Sequence, residues 1–357
     1  MNLGESIRCL ERGRLDPETA RILYQEADLL TLGQLAQEAR FRWNHDPVVT
    51  YAVDRNINYT NICVSRCGFC AFARPEGHPE AYVLDGETLA RKCEETIALG
   101  GTQILYQGGL NPALGLDWHL EQVRLMRRMG LHVHGFSPPE IVFMARQSWL
   151  TVREVIDRLV AAGLGSIPGG GAEVLVDRVR RAVSPAKATR DEWLDVMRTA
   201  HEVGLKTTAT MMFGHLETPA ERLEHLFLLR RLQDETRGFT AFIPWPYQPA
   251  KTTLPGRPAG STTYLRLLAV SRLVLDNFPH LQASWVTQGP HIGQVALHFG
   301  ADDLGSTMIE ENVVAAAGVS HRLSRNEMIH LIETAGFRAQ QRNTLYEPVT
   351  PQDEARR

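Results

Sequence analysis

The sequence predicts an α/β protein, a (β/α)8 barrel with a short N-terminal helical extension, and three observations carry the prediction. Eight short runs rich in apolar and β-branched residues or Thr recur along the chain, amphipathic segments with helix-start signals separate them, and each run empties into Gly, Cys, Pro or polar residues. Regular strand–helix alternation of this kind implies right-handed βαβ crossovers and a parallel sheet, and eight units favour closure over an open sheet. The composition, 43% apolar and 22% charged over 357 residues, is that of an ordinary globular chain, long enough for two domains but equally suited to one barrel.

In order, residues 1–48 lack strand signals and read as two or three short helices packed under the barrel. The barrel spans 49–346, with strands near 52–62, 102–107, 132–137, 164–168, 206–213, 239–245, 282–287 and 302–308; 347–357 is a tail. Helix starts are marked by Ser/Thr-x-x-Glu at Thr151/Glu154, Thr189/Glu192, Thr218/Glu221 and Ser324/Glu327, where hydroxyl and carboxylate satisfy each other's orphan backbone N–H groups. Behind Thr151 a 3.6-residue stripe of Val152, Val155, Ile156 and Leu159 runs to Gly163; behind Thr218, Pro219 fills a first helical position that needs no N–H.

Lys+Arg 38 against Asp+Glu 41 gives a net charge of −3, and the charges are interspersed, so no nucleic-acid or anionic-membrane footprint is visible. No run of apolar residues is long enough to span a bilayer and MNLGESIRCLERGRLDPE has no signal-type apolar core, so a cytoplasmic protein with a small-molecule substrate is expected. Five Cys, three of them within residues 63–70, point to metal or redox chemistry and not to a disulfide framework.

In a parallel barrel, chemistry gathers in the loops after the strands. The first strand leads to Cys63-x-x-x-Cys67-x-x-Cys70, the second to Gln107-Gly108-Gly109, the third to Ser137 and Glu140, and the fourth to Gly169-Gly170-Gly171 and Glu173. The fifth leads to His215, the sixth to Trp245, Tyr247 and Gln248, the seventh to Thr287 and Gln288, and the eighth to Ser306, Glu310 and Glu311. Three soft thiolates in one loop suit an iron–sulfur cluster or, with His78 as fourth ligand, a structural zinc knot in a binding protein. Cys93 lies in an apolar helical stripe and Cys9 in the N-terminal helices, so both read as packing residues.

The cysteine spacing after a first barrel strand, with aromatic Phe69 before the last Cys, resembles the signature of the radical S-adenosylmethionine (SAM) superfamily. That resemblance implies a 4Fe-4S cluster on Cys63, Cys67 and Cys70 with one iron open to SAM. It further implies SAM contacts from Phe69, Gln107, Gly108, Gly109, Ser137, Glu140 and Glu173, with Arg178 or Arg181 on the methionyl carboxylate. Longer segments, among them HGFSPPEI, SIPGGGAEVLVDRVRRAVSP, FIPWPYQP and QASWVTQGPHIGQVALHFGADDLGSTMIEENV, resemble the cyclic dehypoxanthinyl futalosine synthases of menaquinone biosynthesis; the match runs from about residue 50 to 346.

The resemblance implies abstraction of a ribose hydrogen from dehypoxanthine futalosine, ring closure onto its benzoate, and a reducing partner such as flavodoxin or ferredoxin. Aminofutalosine synthase, which adds the adenosyl group to its substrate, is the alternative within the superfamily. Substrate contacts are expected from Arg55, Asn58, Trp245, Tyr247, Gln248, Thr287, Gln288 and Ser306, with Phe242 beside the aromatic pair. The final ring proton needs a base, for which His215, Glu310, Glu311, Asp302 and Asp303 are candidates.

Overall fold

The computed structural model describes residues 2–319 and 321–349. Among the described residues there are ten strands: β1 Val48–Ala52, β2 Asp54–Asn58, β3 Gln103–Gln107, β4 His132–Gly135, β5 Leu164–Ile167, β6 Lys206–Phe213, β7 Phe239–Pro246, β8 His280–Leu281, β9 Asp303–Ser306 and β10 Arg338–Gln341. β2 to β8 form one seven-stranded sheet in chain order and β10, β1 and β9 a second of three. Every strand pairing is parallel.

Two seams join the sheets into a ring. On one side a bridge pairs Gln282 with Asp303. On the other, the segment after β9 runs along β1 and β2: the Thr307 N–H donates to the Ala52 carbonyl, Ile309 to Asp54, and Asn56 back to Glu310, at 3.1–3.2 Å. The barrel is therefore eight positions around, as expected, with β1 and β2 acting as one long first strand.

All four expected helix starts form as reciprocal capping boxes, at Thr151, Thr189, Thr218 and Ser324. Residues before the barrel form α1 Leu3–Arg12, α2 Pro17–Glu26 and α3 Leu29–Trp43. α3 is tied to the barrel floor by Arg40 Nε on the Ala301 carbonyl at 3.2 Å and by Trp43 Nε1 on the Asp276 carbonyl at 3.1 Å.

Three strand expectations are corrected. The run 282–287 is not a strand: β8 ends at Leu281, and Trp285–Gln288 is a single helical turn closed by Gly289 at φ +85°. A short apolar run has no period with which to tell strand from buried helix. The first strand ends at Asn58, not 62, because Thr60 and Asn61 turn aside to hydrogen-bond the Tyr82 and Glu80 carbonyls. β10 was not expected at all; its polar RAQQ carries no strand pattern, and it forms by pairing with the edge of β1 opposite β9. The tail expected at 347–357 lies outside the described residues from 350 onward.

Candidate active site in the barrel mouth

The cysteine loop sits at the C-terminal end of the strands, held by backbone bonds from three directions. Cys63 N–H reaches the Arg74 carbonyl at 3.1 Å, Gly68 N–H the Val183 carbonyl at 3.0 Å, and the Gly68 carbonyl accepts from Thr253 and Leu254. Cys63, Cys67 and Cys70 are free and half-buried. Gly109 is required there, since a Cβ would lie 2.1 Å from the Ile62 carbonyl oxygen in the same loop.

The donor set fits an iron–sulfur cluster on chemical grounds: three free thiols on one loop, with a cation beside them. Ser65 Oγ lies 3.2 Å from Cys67 Sγ. Burial raises the Cys67 thiol and the nearby Lys187 ammonium opposes that rise, so a positive charge sits where a ligating thiolate would need one. The zinc alternative fits less well, because His78 Nδ1 is taken by the Glu80 N–H at 3.1 Å. Cys93 is buried in the helix Gly86–Ala98, its thiol pushed up to about 12 by burial.

Lys187 links this loop to Glu173. Its ammonium is 2.8 Å from Glu173 Oε1 and 5.1 Å from the centre of the Phe69 ring, while Arg180 approaches Glu173 Oε2 at 3.3 Å. Burial opposes ionisation of Glu173, but Lys187 and Arg180 outweigh it and hold the carboxyl below its usual value. Glu173 thus neutralises two buried cations. Glu173→Gln should cost about 3–5 kcal/mol of folding stability by leaving them uncompensated, read from a denaturant melt; an unchanged midpoint would show that the pairs contribute nothing.

Below the loop a cavity of about 310 Å³ runs down the barrel axis. Gln107 and Trp245 line it near the C-terminal strand ends, and Asp54, Gln103 and Arg342 near the opposite end. Of the expected site residues, Gln107, Glu173, Trp245, Thr287, Ser306 and Glu311 line this cavity.

Others are engaged elsewhere. Glu140 forms a capping box with Ser137, and its remaining oxygen accepts from the Tyr59 hydroxyl at 2.8 Å and the Gly108 N–H at 3.0 Å, so both residues brace the Gln107-Gly108-Gly109 turn. Arg178 is exposed and forks onto Glu221 at 2.6–2.7 Å, and Arg181 is exposed too. His215 has both ring nitrogens occupied, Nδ1 by the Leu216 N–H and Nε2 at the Met212 carbonyl, with Glu217 at 3.2 Å. Arg55, Asn58 and Glu310 gather at a separate outer cleft, where Arg55 pairs with Glu95 at 2.7 Å and Glu310 with Lys92 at 2.5 Å. Tyr247 is buried with its hydroxyl donating to the Leu254 carbonyl at 2.6 Å, and Phe242 packs on Phe278. Gln248 donates to the Pro246 carbonyl at 3.2 Å, and Gln288 lies outside the cavity lining.

The base candidates divide sharply. Asp302 is held by Arg272 at 2.8 Å and His280 at 2.8 Å, and Asp303 by Arg342 at 2.5 Å and the Thr50 hydroxyl at 2.6 Å. Glu311 caps the turn after it through the Val313, Val314 and Ala315 N–H groups, and burial raises its carboxyl above the usual value.

Sequence reasoning missed Asp54, Gln103, His134, Arg342 and Lys187. A usable signal existed for the strand residues: Asp54 and Asn56 in β2, and Gln103, Leu105 and Gln107 in β3, alternate along one face, and all line the cavity.

A model of the radical SAM superfamily matches residues 57–229, and one of the CofH/MqnC C-terminal region matches 236–354. The chain is 45% identical over 353 residues to a cyclic dehypoxanthine futalosine synthase of Streptomyces coelicolor, covering 97% of this chain and 88% of that one. It is 44% identical over 343 residues to another from Halalkalibacterium halodurans, covering 95% and 93%. In fold it is similar to HydG, a maturase of the [FeFe]-hydrogenase, with a TM-score of 0.76 at 15% identity, over 95% of this chain and 77% of that one.

Proposed function

The chain belongs to the cyclic dehypoxanthine futalosine synthase family of radical SAM enzymes, and from that premise we propose how its own residues carry out the cyclisation of dehypoxanthine futalosine. The observation that carries the reading is a three-cysteine loop at the C-terminal strand ends of a barrel that holds an axial cavity, in a chain 45% identical to a synthase of that name. Cys63, Cys67 and Cys70 hold the cluster, Gln107, Gly108, Gly109 and Phe69 border the SAM site, and Glu173 meets a SAM polar group beside Lys187. A 4Fe-4S cluster held by Cys63, Cys67 and Cys70 would, with SAM, supply the radical chemistry needed for hydrogen abstraction at ribose carbon 4.

The protein's task is to hold the ribose and benzoate of the substrate in reach of one another and away from water. Trp245 offers an aromatic face, while Gln107, Thr287 and Ser306 set polar groups into the lining. Charge assistance of the kind Glu173 provides is worth about 1.5–3 kcal/mol, so Glu173→Gln should also weaken SAM about 10- to 150-fold. Equilibrium dialysis of SAM against the cluster-loaded variant checks this, and an unchanged affinity would remove Glu173 from the SAM site. The electron enters from a soluble carrier such as flavodoxin or ferredoxin. No helix among the described residues is long and apolar enough to cross a membrane, which suits a cytoplasmic setting.

Substrate deuterated only at ribose carbon 4 tests the reading. It should yield deuterated 5′-deoxyadenosine together with cyclised product. Unlabelled 5′-deoxyadenosine beside that product would place the abstraction elsewhere, and an adenosyl adduct would mean the addition chemistry of aminofutalosine synthase.

A further inference from the structure

Three side chains of β4 and β5 stand in line from the cavity toward the barrel floor. His134 Nδ1 is 2.6 Å from Ser166 Oγ, and the same oxygen is 2.7 Å from His132 Nε2. His134 lines the cavity, and no described residue is hydrogen-bonded to its Nε2. Ser166 is 1% exposed, so this hydroxyl has no water to turn to. His132 opens β4 at the floor end, in the field of Arg127 and of the exposed Glu347. A serine hydroxyl has one proton to give, so when it donates to one imidazole it accepts from the other. With His134 donating from Nδ1 and Ser166 donating to His132, Nε2 of His134 bears a lone pair facing the cavity.

We infer that His134 Nε2 accepts the ring proton lost on cyclisation and that Ser166 and His132 pass the charge to the barrel floor. This rests on the cyclase reading above. The carboxyl groups and the guanidinium on the wall are already committed: Asp54 to Ser306 and Gln103, Glu173 to two cations, Glu311 to three amides and Arg342 to Asp303.

The step balances. After carbon 4 has bonded to the ring, the ring C–H bond breaks and its proton goes to Nε2. Of that bond's two electrons and the unpaired one, two complete the aromatic system and the third leaves to a one-electron acceptor of the iron–sulfur class, the same centre reduced at the start. As Nε2 gains a proton, Nδ1 gives its own to Ser166 Oγ, whose proton moves to His132 Nε2. Burial lowers His134 to about 3 and His132 to about 4, which keeps both rings neutral before the step.

The test compares wild type, His134→Gln and Ser166→Ala on unlabelled substrate and on substrate deuterated at the ring position that is attacked. General-base assistance is worth about 10²- to 10⁴-fold, so both variants should form 5′-deoxyadenosine within about twofold of wild type while cyclised product falls at least about 100-fold. Ring deuteration should slow product formation more in the variants than in wild type, an effect that loss of a merely structural contact would not produce. If His134→Gln does not fold, Ser166→Ala, which removes one oxygen, carries the comparison. Product and 5′-deoxyadenosine formed in the wild-type ratio by a folded variant would overturn the inference. A wild type that forms no cyclised product would sink the cyclase reading and the inference together.

Discussion

Replacing Cys63, Cys67 or Cys70 by Ala is expected to abolish cluster binding and SAM cleavage, each substitution alone being sufficient. Only three thiols lie on this loop, so losing one leaves two irons without a protein ligand. Neither remaining cysteine substitutes for them. Cys93 is fixed in the helix Gly86–Ala98, and Cys9 belongs to the N-terminal helix α1. Cys93→Ala and Cys9→Ala should therefore keep full iron content and the broad visible absorbance of the cluster. The check is iron and sulfide per chain after anaerobic purification. An iron-replete Cys67→Ala protein, or an iron-free Cys93→Ala protein that folds, contradicts the ligand set.

Acid should unfold this protein well above the range in which carboxylates titrate. Burial lowers His119, His134 and His225 to about 3, and His132 and His201 to about 4, from an ordinary 6.5. Because the folded values lie below the unfolded ones, the unfolded chain binds more protons between about pH 4 and 6.5, and stability rises with pH across that window. Read downward, stability begins to fall as pH drops through 6.5. At pH 5 each such histidine costs about 2 kcal/mol, on the order of 10 kcal/mol for the five, comparable with the whole stability of a typical domain. Denaturant midpoints from pH 8 to pH 5 measure the slope. His119 is held mainly by packing against Tyr59, Trp118 and Phe136, so His119→Phe should lessen the slope by about one fifth. A flat profile down to pH 5 would mean that these rings are protonated in the folded protein.

The sequence-derived site was partly dissolved by partners it did not contain. Glu140 and Ser137 have the residue types of a cofactor contact, yet Tyr59, 81 residues away, and Gly108 claim the carboxylate. Arg178 is a plausible carboxylate binder until Glu221, 43 residues on, is seen to hold it on the surface. Conversely, His134, two residues after His132 in HVHG, gave no signal by itself and gained its place from Ser166 on the neighbouring strand.

What the sequence determined by itself is whatever depends on short range. Helix starts followed from a hydroxyl and a carboxylate three residues apart, because capping satisfies N–H groups within the same turn. The cysteine loop followed for the same reason, three ligands within residues 63–70 needing no other element to bring them together. Strand order around the barrel followed from connectivity, since a right-handed crossover sets each strand beside the last. Only the tertiary structure decided which ionisable groups remain available for chemistry. A buried charge must find a counter-charge wherever the fold supplies one, and Asp303 finds Arg342 39 residues later, on the chain beyond β10. Alternation along a strand puts a side chain inside the barrel, but its partner is set by the register of the next strand, which no local pattern encodes.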